Sequence, residues 1–251
     1  MIKLKNVSFS YNKYKQILDD ISFEINKGEC LILLGSNGVG KSTLISLILG
    51  INKVKSGNIY FDDIEIKDLK AKDKSHYLSY VPQLIEGNDL SVFDTILLGR
   101  LPYYHLYPKK EDINYVNNLI DTFNLNEIKE KNTNEISGGE RQKVSILRGL
   151  SQNSELTIFD EPTSNLDMNS QAEILNLIKE EKNHNRSFLI SMHDINQALH
   201  IGDRFIFLKE GKIYRICQKE EITEEIIDYV FNIKSKIIHL ENGEKYIIYE
   251  K

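Results

Sequence analysis

Residues 30–50, CLILLGSNGVGKSTLISLILG, determine the fold that we expect for this chain. The first five residues form a continuous apolar run, which is typical of a strand buried on both faces. A segment with the pattern G-x-x-x-x-G-K-[ST] follows from Gly35 to Ser42, and an apolar helical segment comes after it. In this strand-loop-helix setting the glycines let successive backbone N–H groups surround nucleotide phosphates. We expect Lys41 to reach the β- and γ-phosphates and the Ser42 hydroxyl to bind Mg²⁺.

Length and composition describe an ordinary soluble globular protein. A chain of 251 residues can hold one α/β domain with a sizeable insertion. Its net charge of -5 is spread along the chain, which argues against nucleic acid as a partner. Cys30 and Cys217 lie singly in apolar stretches, which predicts reduced core thiols in a cytosolic protein. No apolar run approaches the ~20 residues that span a bilayer, and the N-terminus resembles a strand rather than an export signal, so we expect membrane association only through a partner.

Polar side chains end three further apolar runs of the sequence. These runs are LSYVPQ at 78–83, LTIFDE at 156–161 and SFLISMHD at 187–194. Because ligands bind at the carboxyl ends of parallel strands, we expect Gln83, His193 and the Asp160–Glu161 pair to face one crevice. Asp160 would then belong to the magnesium shell, and Glu161 could polarise a water for in-line attack on the γ-phosphate. The alternative for the acidic pair is a helix N-terminus before Pro162.

The remaining segments predict a mixed sheet and an inserted group of helices. Alternation in 2–11 and 21–25 favours antiparallel strands, and helical spacing recurs at 91–98 and 112–123. The tail predicts a strand pair turning at 210–211, a helix near 224–231 and a final hairpin around 242–243. We therefore predict an α/β fold with a P-loop NTPase core, a mixed sheet of parallel and antiparallel strands, and an α-helical subdomain. The predicted division is a core at 1–83 and 151–215, a helical subdomain at 84–150 and a C-terminal helix and hairpin at 216–251.

The stretch ISGGERQ at 136–142 contains a second candidate anion site. Ser137 and Glu140 have the spacing of a capping box at a helix start. Two glycines in the same turn disfavour a helix by roughly 1 kcal/mol each relative to alanine, but they expose backbone N–H groups to an anion. A two-fold homodimer lets this site in one chain close over the nucleotide that the other chain holds. A capping box without a ligand is the alternative.

Taken in order, GSNGVGKST, YVPQ, ISGGERQ, LTIFDEPTSNLD and SMHD resemble the nucleotide-binding subunit of an ATP-binding cassette (ABC) transporter, over about residues 2–215. The resemblance implies catalytic roles for Lys41, Gln83, Glu161 and His193, with His193 contacting the γ-phosphate. It implies magnesium binding by Ser42, Gln83 and Asp160. It implies that ATP contacts Tyr11, Gly35, Ser36, Asn37, Gly38, Val39, Gly40, Lys41, Ser42, Thr43, Ser137, Gly138, Gly139, Glu140 and Asp167. Among these, Tyr11 would stack on adenine, unless it is an ordinary core or edge tyrosine, and Asp167 would lie at the dimer seam.

A narrower likeness concerns Gly99–Tyr103 in LSVFDTILLGRLPYY, together with the stretch SMHDINQAL at 191–199. A G-R-x-P-[YH] element at this place resembles the ATPases of iron-siderophore, haem and cobalamin importers, whereas the alternative is a simple helix stop at Gly99 and Pro102. The sequence departs from the common ABC pattern at Ile136, Asn165 and Gly149, and a glycine at position 149 favours a softer helix.

These observations predict an ATP hydrolase on the cytoplasmic face of the cell membrane that powers solute uptake. Its expected partners are a second copy of itself, a membrane permease and, indirectly, an external solute-binding protein. Its expected cofactors are ATP and Mg²⁺. Two alternatives stay open: a soluble ABC ATPase of the iron-sulfur assembly type, and a nucleotide-gated scaffold that binds ATP without useful hydrolysis.

Overall fold

The structure is a computed structural model that describes residues 2–12, 15–83, 86–182, 184, 186–240 and 243–250. The strands are β1 (Ile2–Phe9), β2 (Leu18–Ile25), β3 (Cys30–Leu34), β4 (Ser56–Phe61), β5 (Ile64–Glu65), β6 (Leu78–Val81), β7 (Leu156–Asp160), β8 (Ser187–Met192), β9 (Arg204–Lys209), β10 (Lys212–Gln218), β11 (Lys234–His239) and β12 (Lys245–Glu250). The α-helices are α1 (Lys41–Ile48), α2 (Ala71–Tyr77), α3 (Val92–Leu97), α4 (Lys110–Thr122), α5 (Gly138–Ser151), α6 (Met168–Lys182), α7 (Ile195–Ile201) and α8 (Glu224–Phe231). Short 3-10 helices cover Ile66–Asp68, Leu98–Tyr103, Asn126–Ile128 and Lys219–Glu221.

The chain forms two compact units, of which one comprises Met1–Leu69 with Asn185–Lys251 and the other Lys70–His184. The first unit is called the P-loop unit below, and the second is called the helical unit. The subdomain boundaries predicted from sequence differ from these limits and stay a prediction about the functional organisation of the chain.

The P-loop unit contains both parallel and antiparallel strand pairs. Its central strand β3 pairs in parallel with β8 on one side and β9 on the other, while β10 pairs antiparallel with β9. Every residue of β3 and β8 is buried, which explains their continuous apolar sequences. A separate antiparallel sheet has the order β2-β1-β4-β5, and its strand β1 alternates between buried and exposed residues. The predicted mixed sheet is confirmed.

The C-terminal part of the P-loop unit follows the predicted pattern. The turn between β9 and β10 falls at Glu210 and Gly211, whose φ angles of 49° and 75° are both positive, as a tight hairpin turn requires. Helix α8 has the predicted bounds and β11 pairs antiparallel with β12. Of the predicted final turn, Asn242 lies outside the described residues.

The helical unit combines a parallel strand pair with helices α2 to α6. Strands β6 and β7 pair in parallel, and all five residues of β7 are buried. Helix α5 buries one face that includes Val144, Ile146 and Leu147, and it contacts α3, α4 and β6. The predicted helices at 91–98 and 112–123 correspond to α3 and α4, so the helical insertion is confirmed. Within the described part of the chain, no helix is both long and apolar enough to cross a membrane.

Candidate active site

The phosphate-binding loop lies between β3 and α1, as the sequence predicts. Gly38 and Gly40 have φ angles of 76° and 114°, which side chains rarely tolerate, and a Cβ at Gly40 would lie 2.8 Å from Leu18. Lys41 is 5% exposed, and its Nζ donates hydrogen bonds to the carbonyl oxygens of Gly35 at 2.8 Å and Ser36 at 3.4 Å. The loop therefore curls around the ammonium group of the lysine that we expect to bind phosphate.

Tyr11 lies beside this loop and outside the core. Tyr11 is 65% exposed, and its ring packs edge-on against Phe9, with ring centroids 4.9 Å apart. The Tyr11 hydroxyl lies 3.4 Å from Oγ1 of Thr43 in the first turn of α1. This exposure excludes Tyr11 from the core, and it lies outside β1 because that strand ends at Phe9. An exposed aromatic face next to the loop suits stacking on a base.

His193 follows the strand that neighbours the loop strand. Leu34 at the end of β3 pairs with Met192 at the end of β8, so Gly35 and His193 leave the sheet at the same edge. The His193 side chain is exposed, and Asp194 directly after it caps α7 by accepting hydrogen bonds from the N–H groups of Asn196 and Gln197. Within the P-loop unit, Tyr11 thus lies beside the phosphate loop, and His193 leaves the sheet at the same edge as that loop.

In the helical unit, the acidic pair lies at the end of β7 and not at a helix N-terminus. Asp160 is the last residue of the strand and α6 begins only at Met168, which excludes the alternative of a helix N-terminus before Pro162. Asp160 is 5% exposed. Burial, followed by the charge of Asp160 and a hydrogen bond to its carboxylate, raises the pKa of Tyr80 to about 12. Tyr80 therefore remains a neutral donor that orients Asp160.

Glu161 and Gln83 contact each other directly. Gln83 Nε2 donates to Glu161 Oε2 at 2.8 Å, as expected because Val81 pairs with Phe159 and each residue lies two positions beyond its strand partner. Glu161 has a φ of 48°, in the left-handed region that non-glycine residues seldom adopt. Such strain of roughly 1–3 kcal/mol is typical of functional positions. The sequence predicted the meeting of these two side chains, but not the backbone angle.

The capping box at the start of α5 is confirmed. Ser137 Oγ accepts from the Glu140 N–H at 3.2 Å, and Glu140 Oε2 accepts from the Ser137 N–H at 2.8 Å. Hydrogen bonds from the Ser137 side chain and backbone lower the pKa of Glu140, so the cap carries a negative charge at neutral pH. A Cβ on Gly138 would meet nothing within 4 Å. Capping therefore does not explain Gly138, which leaves the first turn of α5 open to an anion.

Gly139 has a packing reason that the sequence did not reveal. A Cβ on Gly139 would lie 2.4 Å from Oγ of Ser170. Ser170 Oγ in turn donates to Oδ2 of Asp167 at 2.7 Å, while Oδ1 of Asp167 accepts from the N–H groups of Asn169 and Ser170 at 3.0 Å. Asp167 thus caps α6, and through Ser170 this exposed side chain lies near Gly139 in the first turn of α5.

The Gly99–Tyr103 element is a packed joint and more than a helix stop. Helix α3 ends at Leu97 and the 3-10 helix runs through Tyr103. Arg100 lies with its guanidinium 3.7 Å from the Tyr103 ring centroid, and it bonds to the carboxylate of Asp112 at 3.0 Å and to the carbonyl of Ser151 at 2.9 Å. This one arginine ties α3, α4 and the end of α5 together.

Two departures from the common pattern have structural reasons. Gly149 is buried in a continuous α5, where a Cβ would lie 2.6 Å from Cγ2 of Val81, so the helix approaches β6 more closely than an alanine would allow. Asn165 has a φ of 60°, and asparagine tolerates this left-handed angle better than alanine does.

Comparison with known proteins assigns the family. A family model described as "ABC transporter" matches residues 18–164. The chain belongs to the ABC transporter ATPase family. This ABC ATPase is 40% identical, over 94% of its length and 93% of the relative's, to a protein of Methanocaldococcus jannaschii named "Uncharacterized ABC transporter ATP-binding protein". It is 33% identical to the "Phosphonates import ATP-binding protein" of Lactococcus lactis, over 92% of this chain and 98% of that one. It is also 33% identical, over 85% and 86%, to the "Probable iron chelatin transport ATP-binding protein" of Helicobacter pylori.

Solved structures support the same assignment. A metal-chelate type ABC transporter in an inward-facing conformation matches with a TM-score of 0.85 and 25% identity, and the match covers 100% of this chain and 97% of the other. A dimeric ATP-binding cassette in a post-hydrolysis state with ADP and phosphate matches with a TM-score of 0.76 and 27% identity, over 87% of this chain and 98% of the other. The fold is that of an ABC ATPase, and the protein is an ATP-binding hydrolase subunit of an ABC transporter.

Proposed function

We propose that this ABC ATPase powers the uptake of a metal-chelate solute, of the iron-siderophore, haem or cobalamin class, by hydrolysing ATP between two copies of the chain. The observation that carries the hydrolytic part is the Gln83–Glu161 hydrogen bond of 2.8 Å, with Glu161 at a strand end in a strained backbone conformation. A scaffold that only binds ATP has no need of a carboxylate held in this way.

In the proposed reaction, Lys41 and the loop N–H groups bind the β- and γ-phosphates and hold them in line for attack. Glu161 accepts a hydrogen bond from the attacking water and orients it, while His193 donates to the γ-phosphate. Bound Mg²⁺ would neutralise charge that develops on the phosphate oxygens. The ligands that we propose for it are Ser42, Gln83 and Asp160. Their hydroxyl, amide and carboxylate oxygens are the donors that Mg²⁺ prefers.

The second copy supplies the anion site at the start of α5. Ser137 and Gly139 of one chain would contact the γ-phosphate held by the other, so ATP stabilises the dimer and loss of phosphate releases it. The dimeric cassette among the structural relatives supports this arrangement. The open space around Gly138 and the exposed Asp167 that caps α6 also support it.

The helical unit offers a surface for a membrane permease. Leu101, Leu106 and Tyr107 are 52%, 85% and 83% exposed, although large apolar side chains are usually buried. A cleft of about 310 Å³ includes Leu101 and is lined by 101–105 together with Lys72 and Ser75. We assign this surface to the permease, and we therefore propose that the ATPase works at the cytoplasmic face of the membrane.

The metal-chelate class rests on the Gly99–Tyr103 joint together with the iron chelatin and metal-chelate relatives. The phosphonate importer among the relatives defines the competing solute class. Deletion of the gene in its own organism, followed by uptake of radiolabelled ferric siderophore, haem, cobalamin and phosphonate, separates the classes. We expect loss of uptake of one metal chelate with normal phosphonate uptake. Loss of phosphonate uptake alone would refute the solute assignment.

Phosphate release from Mg²⁺-ATP tests the hydrolytic step. We expect Glu161→Gln to lower turnover by about 10²–10⁴-fold, the range for loss of a general base, with ATP binding retained. Hydrolysis at the wild-type rate in this variant would remove Glu161 from the proposed role. The assay includes the permease if the isolated chain is idle.

A further inference from the structure

The C-terminal hairpin, formed by β11 and β12, bonds directly to the helix that follows His193. The side-chain amide of Asn196 in α7 makes two hydrogen bonds to the backbone of Ile247 in β12. Nδ2 donates to the carbonyl oxygen at 3.0 Å, and Oδ1 accepts from the N–H at 2.8 Å. Ile247 is 1% exposed. One planar amide thus reproduces the pair of bonds that a neighbouring strand would make.

Tyr249, two residues further along β12, makes a second contact with the same turn. Its phenol oxygen accepts a hydrogen bond from the N–H of Ile195. Burial, and after it the nearby charge of Asp194, raises the pKa of Tyr249. The hairpin therefore contacts Ile195 and Asn196, the second and third residues after His193.

The hairpin is itself held by other parts of the P-loop unit. Lys245 Nζ donates to three backbone carbonyls between 219 and 222, at distances of 3.2, 2.6 and 3.1 Å. The carboxylate of Asp228 in α8 accepts from both the N–H and the hydroxyl of Ser235, at 2.7 and 2.6 Å. Because these bonds fix both strands, the hairpin can act as a rigid support rather than as a loose tail.

His193 stands between two fixed points. Met192 before it belongs to β8, which pairs with β3, whereas the exposed His193 side chain itself lies outside the sheet. Helix α7, which follows it, has only 7 residues and begins directly after the Asp194 cap. A shift of the first turn of α7 would move the His193 backbone. The hairpin contacts therefore affect the position of the imidazole.

We propose that the C-terminal hairpin positions His193 for ATP hydrolysis, with Asn196 as the positioning residue. This inference rests on the role proposed above for His193 in contacting the γ-phosphate. The hydrogen bonds described above join the hairpin to α7, to α8 and to residues 219–222, rather than to the phosphate loop or to Tyr11. The hairpin therefore affects the rate of the chemical step more than the binding of ATP.

Steady-state hydrolysis by Asn196→Ala tests the proposal. We expect kcat to fall about tenfold while KM for ATP changes less than about twofold, because misplacing a catalytic group by a fraction of an ångström slows the step that it assists. Tyr249→Phe, which loses only the phenol contact, should give a smaller fall in the same direction. Ile248→Ala is the matched control, since this neighbour in β12 is 44% exposed, and it should keep wild-type kcat.

A double-mutant cycle separates positioning from a loss of folded protein. In a His193→Ala background, Asn196→Ala should have no further effect on residual turnover, whereas a smaller folded fraction would lower it again. In Asn196→Ala, hydrogen exchange should be faster at amides 194–197 and unchanged in β3. This measurement decides the question if the residual turnover of the His193→Ala variants is too low to measure.

The outcomes distinguish the two proposals. Wild-type turnover in His193→Ala would refute the role of His193 itself. An inactive His193→Ala with wild-type kcat in both Asn196→Ala and Tyr249→Phe would refute the hairpin inference and leave the proposed function intact. A further loss of turnover in the double variant would also overturn the inference.

Discussion

Replacing Gly99 with alanine should destabilise the helical unit, because the structure leaves no room for one methyl group. A Cβ at this position would lie 2.0 Å from Oγ of Ser151 and 2.2 Å from the carbonyl oxygen of Arg148. Ordinary van der Waals contact begins at 3.4 Å, so the 3-10 turn or the end of α5 must move by more than about 1 Å. The Arg148 carbonyl belongs to the backbone, so side-chain rotation cannot relieve this second clash.

The magnitude follows from two contributions. Overpacking a close-packed interior costs about 1–3 kcal/mol. Ser151 Oγ also bonds to the carbonyls of Ile96 at 2.8 Å and Arg148 at 2.9 Å, and the loss of this hydroxyl's bonding adds about 1 kcal/mol. We therefore expect a loss of about 2–4 kcal/mol, or about 5–10 °C in Tm for a chain of this size.

Thermal unfolding followed by circular dichroism, together with hydrogen exchange of the α5 amides, measures this loss in the unit concerned. Gly138→Ala is the matched control, because a Cβ there meets nothing within 4 Å and alanine favours a helix by up to about 1 kcal/mol over glycine. Gly138→Ala should therefore unfold at or slightly above the wild-type temperature. If Gly99→Ala does the same, the close approach of the 3-10 helix to α5 is wrong.

Three other changes have definite expected results. Arg100→Lys should lower the free energy of unfolding by about 1–2 kcal/mol, because lysine cannot both contact Asp112 and bond to the Ser151 carbonyl as the planar guanidinium does. An unchanged midpoint in urea unfolding would contradict this. Leu106→Asp should abolish solute uptake in cells while the purified chain keeps its basal ATPase rate, and normal uptake would remove the permease from this surface. Folding raises the pKa of the Cys217 thiol from 9.0 to about 11, mainly by burial, so this thiol stabilises the fold below pH 9 and that contribution is lost as the pH rises through 9 to 11. In pH-dependent urea unfolding, Cys217→Ala should therefore lose less stability than the wild type over this range, and equal losses would contradict the assignment.

The sequence predicts the elements whose signals are local. The phosphate loop, the buried strands β3, β7 and β8 and the hairpin at 210–211 follow from glycine spacing, continuous apolar runs and turn residues. Strand β4 was not predicted, since it begins with Ser56, Gly57 and Asn58, which are turn formers, and its pairing with β1 contains a register shift. Helix α2 buries no side chain and so has no apolar period to detect.

The sequence also identifies the side chains at the strand ends, but not what holds them. Tyr80 was missed because its link to Asp160 depends on the register of β6 against β7, which a single strand sequence does not contain. The positive φ of Glu161 is set by the surrounding turn, as glutamate has no intrinsic preference for it. Gly149 suggests a soft helix in sequence, whereas the structure explains it by close packing on Val81.

The contacts of Asn196 show a further limit of sequence reasoning. Asn196 and Ile247 are 51 residues apart; Asn196 falls within the stretch SMHDINQAL, but Ile247 belongs to none of the motifs. The nearest available signal was the presence of a polar side chain one turn after His193, which by itself indicates only a helix surface. Long-range hydrogen bonds of this kind require the tertiary structure.

The central claim is that one chain holds only half of each reaction centre and that ATP joins two chains. Sedimentation velocity of Glu161→Gln with Mg²⁺-ATP tests it most directly, because this variant should bind ATP without consuming it. We expect a species of about twice the 29.1 kDa of one chain with ATP, and a monomer with ADP or after the further change Ser137→Ala. A strictly monomeric Glu161→Gln protein at saturating Mg²⁺-ATP, also in the presence of its permease, would contradict the claim.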